Sequence, residues 1–142
     1  MTTTETISIS QVAELLAHNG YDIAEGASGV LRVRDVHSNV SFQAALEGNV
    51  LYMTVNLMTV PGTDITPALM RKMLDGQNGI STSGFRLYDA GEGKVAVTLN
   101  NFCKLLEMGP EDSDDILSLA GYLMVDVIAA RDLLQPAAAA RK

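Results

Sequence analysis

The chain has 142 residues, and its ten Lys and Arg against 17 Asp and Glu give a formal charge of −7. That length suits one domain with a substantial core, while the acidic balance sets nucleic acid and anionic membranes aside as partners, since both recruit cations. A single cysteine, Cys103, excludes an internal disulfide framework and fits a reducing compartment.

The first predicted helix is short. Ile9, Val12, Ala13, Leu15 and Leu16 share one face, Ser8 or Ser10 caps the start, and Asn19-Gly20 supplies its left-handed end. Three strands follow, each alternating with period two. Leu31 and Val33 alternate with Arg32 and Arg34; Phe42, Ala44 and Leu46 alternate with Ser41, Gln43 and Glu47. After a tight turn at Gly48-Asn49, Leu51, Met53, Val55 and Leu57 oppose Tyr52, Thr54 and Asn56. One polar face per strand predicts antiparallel pairing, and Pro61-Gly62 closes the meander.

A second short helix opens at Thr66-Pro67, carries Leu69, Met70, Met73 and Leu74, and stops at Asp75-Gly76. Gln77 to Gly84 is a polar loop. A hairpin comes next: Phe85 and Leu87, a turn over Asp89 to Gly93, then Val95, Val97 and Leu99. The last helix is the longest, from an acidic first turn (Asp112, Asp114, Asp115) to about Leu134, with Pro136 stopping it. Ile116, Leu119, Ala120, Leu123, Val127 and Leu134 form its main apolar face, which Leu117, Met124, Val125 and Ile128 widen. The predicted fold is α+β, order α-β-β-β-α-β-β-α: an antiparallel five-stranded sheet with helices mainly on one face. One domain over residues 1–142 is expected, with an ordered core over 8–135 and a flexible tail over 136–142.

Motifs for chemistry are scarce. Cys103 with His18 or His37 matches no nucleophile pattern, and a buried small apolar residue explains Cys103 as well. Two histidines and one cysteine in different elements offer too few ligands for structural zinc. An EF-hand loop starting at Asp112 would need glycine at Leu117 and glutamate at Leu123. Gly91-Glu92-Gly93-Lys94 lacks the earlier glycine and the following hydroxyl of a phosphate loop, and a strand follows it. No catalytic residue, metal ligand or cofactor site is therefore predicted. Residues Met1 to Thr6 carry neither part of an export signal. The most apolar run, Tyr122 to Ala130, contains Asp126 and is too short to cross a bilayer, so a soluble cytoplasmic protein is expected.

Seven methionines and a mean hydropathy of +0.15 are high for a small acidic chain. Ordinary core filling is one reading of this; the other is an adaptable apolar surface for another chain, because flexible thioethers repack around different partners.

The element order from Ser8 to Leu134 resembles the type III secretion chaperone-like superfamily, which includes the Tir-chaperone type and the YbjN family of sensory-transduction regulators. The local match is best from Leu74 onward: Asn78, Gly84-Phe85-Arg86-Leu87, the turn at Gly91-Glu92-Gly93, Val95 to Leu99, Phe102, Leu105-Leu106, and the long final helix. The resemblance implies a non-enzymatic, polypeptide-holding or regulatory protein, commonly a homodimer. A small-ligand-sensing domain is the alternative, with an enzyme last. A surface for a dimer or client is expected from Met70 and Met73 on the second helix, or from Gly121, Met124, Val125 and Ile128 on the last.

Overall fold

Ser8 begins the first helix with a reciprocal cap: its side chain accepts from the Gln11 N–H, and the Gln11 side chain accepts from the Ser8 N–H. In this computed structural model, which describes residues 8–25, 29–106 and 110–139, the elements are α1 (Ile9–Ala17), β1 (Tyr21–Glu25), β2 (Leu31–Asp35), β3 (Ser41–Glu47), β4 (Val50–Pro61), a short 3-10 turn (Gly62–Asp64), α2 (Pro67–Leu74), β5 (Gly84–Gly91), β6 (Lys94–Lys104) and α3 (Pro110–Ala139). The strands form an antiparallel sheet in the order β1-β2-β3-β4-β6-β5.

Six strands replace the five expected. The additional one, β1, follows directly on Asn19-Gly20 and pairs with β2, Ile23 opposite Val33. Its alternation is faint because Tyr21 and Ile23 are only half-buried while Asp22 and Ala24 are exposed. The β5–β6 turn is also tighter than expected. Only Glu92-Gly93 separates the strands, both at positive φ (57° and 74°), the geometry that matches strand twist in a two-residue hairpin. The last helix does not stop at Pro136; its backbone continues over the alanines, the strongest helix formers, to Ala139.

The chain divides into two compact units, Met1–Thr54 with Phe102–Gly121, and Val55–Asn101 with Tyr122–Lys142. In the first, Leu31, Val33, Phe42, Ala44, Leu51 and Met53 are buried strand by strand, with Val12 and Leu16 of α1 and Ile116, Leu119 and Ala120 of α3. Burying each large apolar side chain contributes about 1.5–3 kcal/mol. Phe42 meets Tyr21 edge-on at 6.1 Å between centroids. In the second unit, Leu69, Met73, Val97 and Leu134 make a cluster against which Leu57, Met58, Ile65, Phe85 and Leu133 pack. Thr66 caps α2 by accepting from the Leu69 N–H at 3.1 Å. Leu46 and Leu57, expected fully inside, are half-buried, and Leu74 and Leu87 are exposed.

Candidate functional site

Helical spacing puts Asp126 on the same side of α3 as Leu123, Val127 and Ala130, and all four are buried, Asp126 to 1% exposure. A charge there requires partners, and the loop after α2 provides them. The loop is first turned by Asn78, whose Nδ2 donates to the Met73 carbonyl at 2.6 Å while its Oδ1 accepts from the Ile80 N–H at 3.0 Å. Gly79 follows at φ +85°, where a Cβ would lie 3.8 Å from that of Ala129, so the loop passes close over α3.

Three consecutive residues then close on the carboxylate. The Ser81 N–H and hydroxyl each donate to Oδ1 at 2.8 Å, and the Thr82 and Ser83 N–H groups donate to Oδ2 at 3.3 and 3.1 Å. Asn101 of β6 braces the same loop, donating to Thr82 Oγ1 at 2.7 Å and Ser83 Oγ at 3.3 Å. Burial alone would push the Asp126 pKa up, but hydrogen bonds from Ser81 and Ser83 outweigh it and hold the group below its ordinary value. With both oxygens occupied and the carboxylate ionised, Asp126 ties the loop to the helix and has no vacant lone pair aimed at a substrate.

A flank of the same helix segment, winding from beside Asp126 round to its back, is apolar and exposed. Tyr122, Val125 and Ile128 are 53%, 61% and 65% exposed, spaced three residues apart. Ala129 and Leu133, half-buried, continue along the edge of this stripe toward the loop. Two open depressions lie within the second unit, the larger of them at Ala129 and Leu133. One of about 550 Å³ is bounded by Lys72, Asn78, Ala129 and Leu133, and one of about 250 Å³ by Leu57, Met58 and Leu134.

Of the predicted surface residues, Val125 and Ile128 are exposed on α3, Met124 is half-buried, and Gly121 is exposed with no atom within 4 Å of where its Cβ would stand. On α2, Met70 is half-buried. Met73 is a correction: it faces Leu69, Val97 and Leu134 in the core and presents no surface to a partner. Met53 is likewise fully buried, and Met108 lies outside the described residues. Asp126 and its loop were missed as a site; the one sequence signal was a lone carboxylate inside an apolar run.

Cys103 is half-buried, and its thiol is pushed up to about 11 by burial and by the charges of Asp115 and Asp112. Such a group stays protonated near neutrality. His18 and His37 are exposed, one after α1 and the other after β2. Among the described residues no group of three His, Cys, Asp or Glu is placed to hold a metal, and no helix is long and apolar enough to cross a membrane.

No family model matches the chain, and no curated protein matches its sequence. Among solved structures the chain is similar to the crystal structure of YbjN from E. coli, described there as "a putative transcription regulator". The superposition covers 94% of this chain and 97% of that one, with a TM-score of 0.68 and 12% sequence identity. At that identity the likeness establishes a YbjN-like fold.

Proposed function

We propose that the chain is a non-enzymatic polypeptide-binding module, regulatory or chaperone-like, which holds a partner segment on the exposed flank of the middle of α3. The observation that carries this reading is the row Tyr122, Val125 and Ile128, each more than half exposed and set one helical step apart. Single exposed hydrophobics are ordinary, but a row at this spacing is the imprint of an amphipathic helix or extended apolar segment lying alongside. The YbjN-like fold supports a regulatory setting. The protonated Cys103 and the fully bonded Asp126 support binding over catalysis. The depression at Ala129 and Leu133 is open and suits a side chain of a bound segment better than an enclosed small molecule.

The test is fluorescence anisotropy with a labelled amphipathic Leu/Lys helix of about 18 residues, long enough to hold helical structure on binding. Micromolar binding by the wild type and at least a tenfold loss in Val125→Asp are expected, a difference of about 1.4 kcal/mol. Wild-type protein that leaves the peptide free at ~100 μM refutes the reading. Light scattering over the same range separates the other occupant: a dimer that Val125→Asp dissociates gives this face to a second copy of the chain.

A further inference from the structure

The sequence holds two Asn-Gly pairs, Asn19-Gly20 after α1 and Asn78-Gly79 after α2. An asparagine before glycine is prone to ring closure, because no side chain shields the glycine N–H and its backbone turns freely. The fold treats the two pairs differently. Asn78 is half-buried and both ends of its carboxamide are engaged: Nδ2 donates to the Met73 carbonyl at 2.6 Å and Oδ1 accepts from the Ile80 N–H at 3.0 Å. Gly79 beside it packs close to Ala129, whose Cβ is 3.8 Å from where a Cβ on Gly79 would stand. Asn19 is exposed, and its Nδ2 donates to the Leu15 carbonyl at 2.7 Å. Gly20 is exposed as well, at φ +93°, with open space within 4 Å of where its Cβ would stand.

We infer that Asn19 is a site of spontaneous deamidation, that the fold holds Asn78 against the same reaction, and that the product at residue 19 loosens the end of α1. The Gly20 backbone nitrogen, its proton taken by hydroxide, attacks Asn19 Cγ. The N–Cγ bond forms, the Cγ–Nδ2 bond breaks, and ammonia leaves. Water then opens the cyclic imide. Cleavage at Cγ leaves an ordinary chain carrying aspartate; cleavage at the former backbone carbonyl leaves isoaspartate, with the chain routed through an additional methylene. Water is consumed and ammonia released, with no change of oxidation state. Ring closure at Asn78 gives up a bond at each end of the carboxamide and moves a half-buried group, whereas at Asn19 it gives up the bond to Leu15 alone. Either product removes the Nδ2 donor and sets a carboxylate at the end of α1, where the helix dipole disfavours negative charge. Strand β1 begins at Tyr21, so isoaspartate also displaces the entry to that strand.

Incubation in mildly alkaline buffer, followed by peptide mapping with tandem mass spectrometry, tests it. In the folded protein the mass gain of an amide-to-acid change is expected at residue 19 about fivefold or more faster than at residue 78, the scale of one additional hydrogen bond. In denaturing urea, where no fold distinguishes the two pairs, the rates are expected to converge. Asn19→Gln, whose longer side chain closes a ring less readily, should remove the reaction at residue 19 and leave that at residue 78 unchanged. Asn19→Asp reproduces one product outright and is expected to raise the unfolding equilibrium constant about threefold, the scale of a charge at a helix end. Conversion at Asn78 as fast as at Asn19 in the folded protein, or a bias toward residue 19 that persists in urea, overturns the selection by the fold. A folded chain that stays unconverted at residue 19 while the unfolded chain reacts overturns the site. An Asn19→Asp variant as stable as the wild type overturns the consequence for α1.

Discussion

Between Tyr122 and Ala130 two flanks of α3 each depart from the usual arrangement: a carboxylate is buried among Leu123, Val127 and Ala130, and three large apolar side chains are exposed. The inner side shows that burial follows satisfied hydrogen bonding as well as hydrophobicity. Asp126 is tolerated because four donors from one loop meet it, two on each oxygen. The outer side shows the converse. Tyr122, Val125 and Ile128 are each more than half exposed. One flank is satisfied from within the chain, and the other is the face on which the proposed binding rests.

The sharpest way to break this contrast is to remove the inner carboxylate. Asp126→Ala leaves the N–H groups of Ser81, Thr82 and Ser83 without their acceptor and opens a polar gap beside Leu123 and Val127. A loss of about 3 kcal/mol in urea unfolding is expected, since charge-assisted bonds are being removed from a buried group. A loss under ~0.5 kcal/mol, the range of an ordinary surface substitution, would mean that the loop is held by something else.

Acid should undo the inner side gradually. The folded pKa of Asp126 is lowered, so it lies beneath the unfolded value of about 3.9 and the unfolded chain binds the proton more readily. The stabilisation is complete above about pH 5 and is lost as pH falls through the folded pKa. Asp35, lowered chiefly by the Ser38 hydroxyl bond, adds in the same direction, with a smaller share because it is partly solvated. Unfolding curves of wild type and Asp126→Asn should therefore converge as pH approaches 2. Curves that stay parallel would show that the carboxylate's charge contributes nothing.

Cys103 supplies the control for what burial does without donors. Asp126 is buried with four donors and its pKa goes down; Cys103 is half-buried near two carboxylates and its pKa goes up to about 11. Alkylation of the folded protein by iodoacetamide at pH 8 should be about two orders of magnitude slower than for a free thiol of pKa near 8.5. Cys103→Ala should cost about 1 kcal/mol through lost volume. Rapid labelling in the folded state would reopen a catalytic role.

Much of this was legible from residue spacing. The main α3 face, Ile116 to Leu134, is buried at every position that its periodicity selects, and Ser8 and Thr66 cap their helices as their residue types predict. What was not legible is non-local or weak. An edge strand such as β1 buries only half of Tyr21 and Ile23, so its alternation falls below that of β2 or β3. The partners of Asp126 are mainly backbone N–H groups 43 to 45 residues away, and a backbone donor carries no residue signature. Ser81-Thr82-Ser83 therefore reads as an ordinary polar loop until the fold places it on the helix. The widening of the α3 face by Val125 and Ile128 was visible, whereas Met73, at a similar helical spacing on α2, went to the core.

The smallest effect on stability is expected where the effect on function is proposed to be largest. Val125 and Ile128 are 61% and 65% exposed, so Val125→Asp or Ile128→Asp removes few contacts within the chain. A change within about 0.5 kcal/mol in unfolding free energy is expected, as for surface positions without special geometry. Asp126→Ala inverts the pattern, costing stability while leaving the outer row chemically intact. Measuring both variants by urea unfolding and by Leu/Lys peptide anisotropy places the two sides of one helix on separate axes. If Val125→Asp costs as much stability as Asp126→Ala, the outer row is packed within the folded chain and the contrast between the two sides collapses. If it is neutral for stability and abolishes peptide binding, the exposed row is retained for contact with another chain, because nothing within this one depends on it.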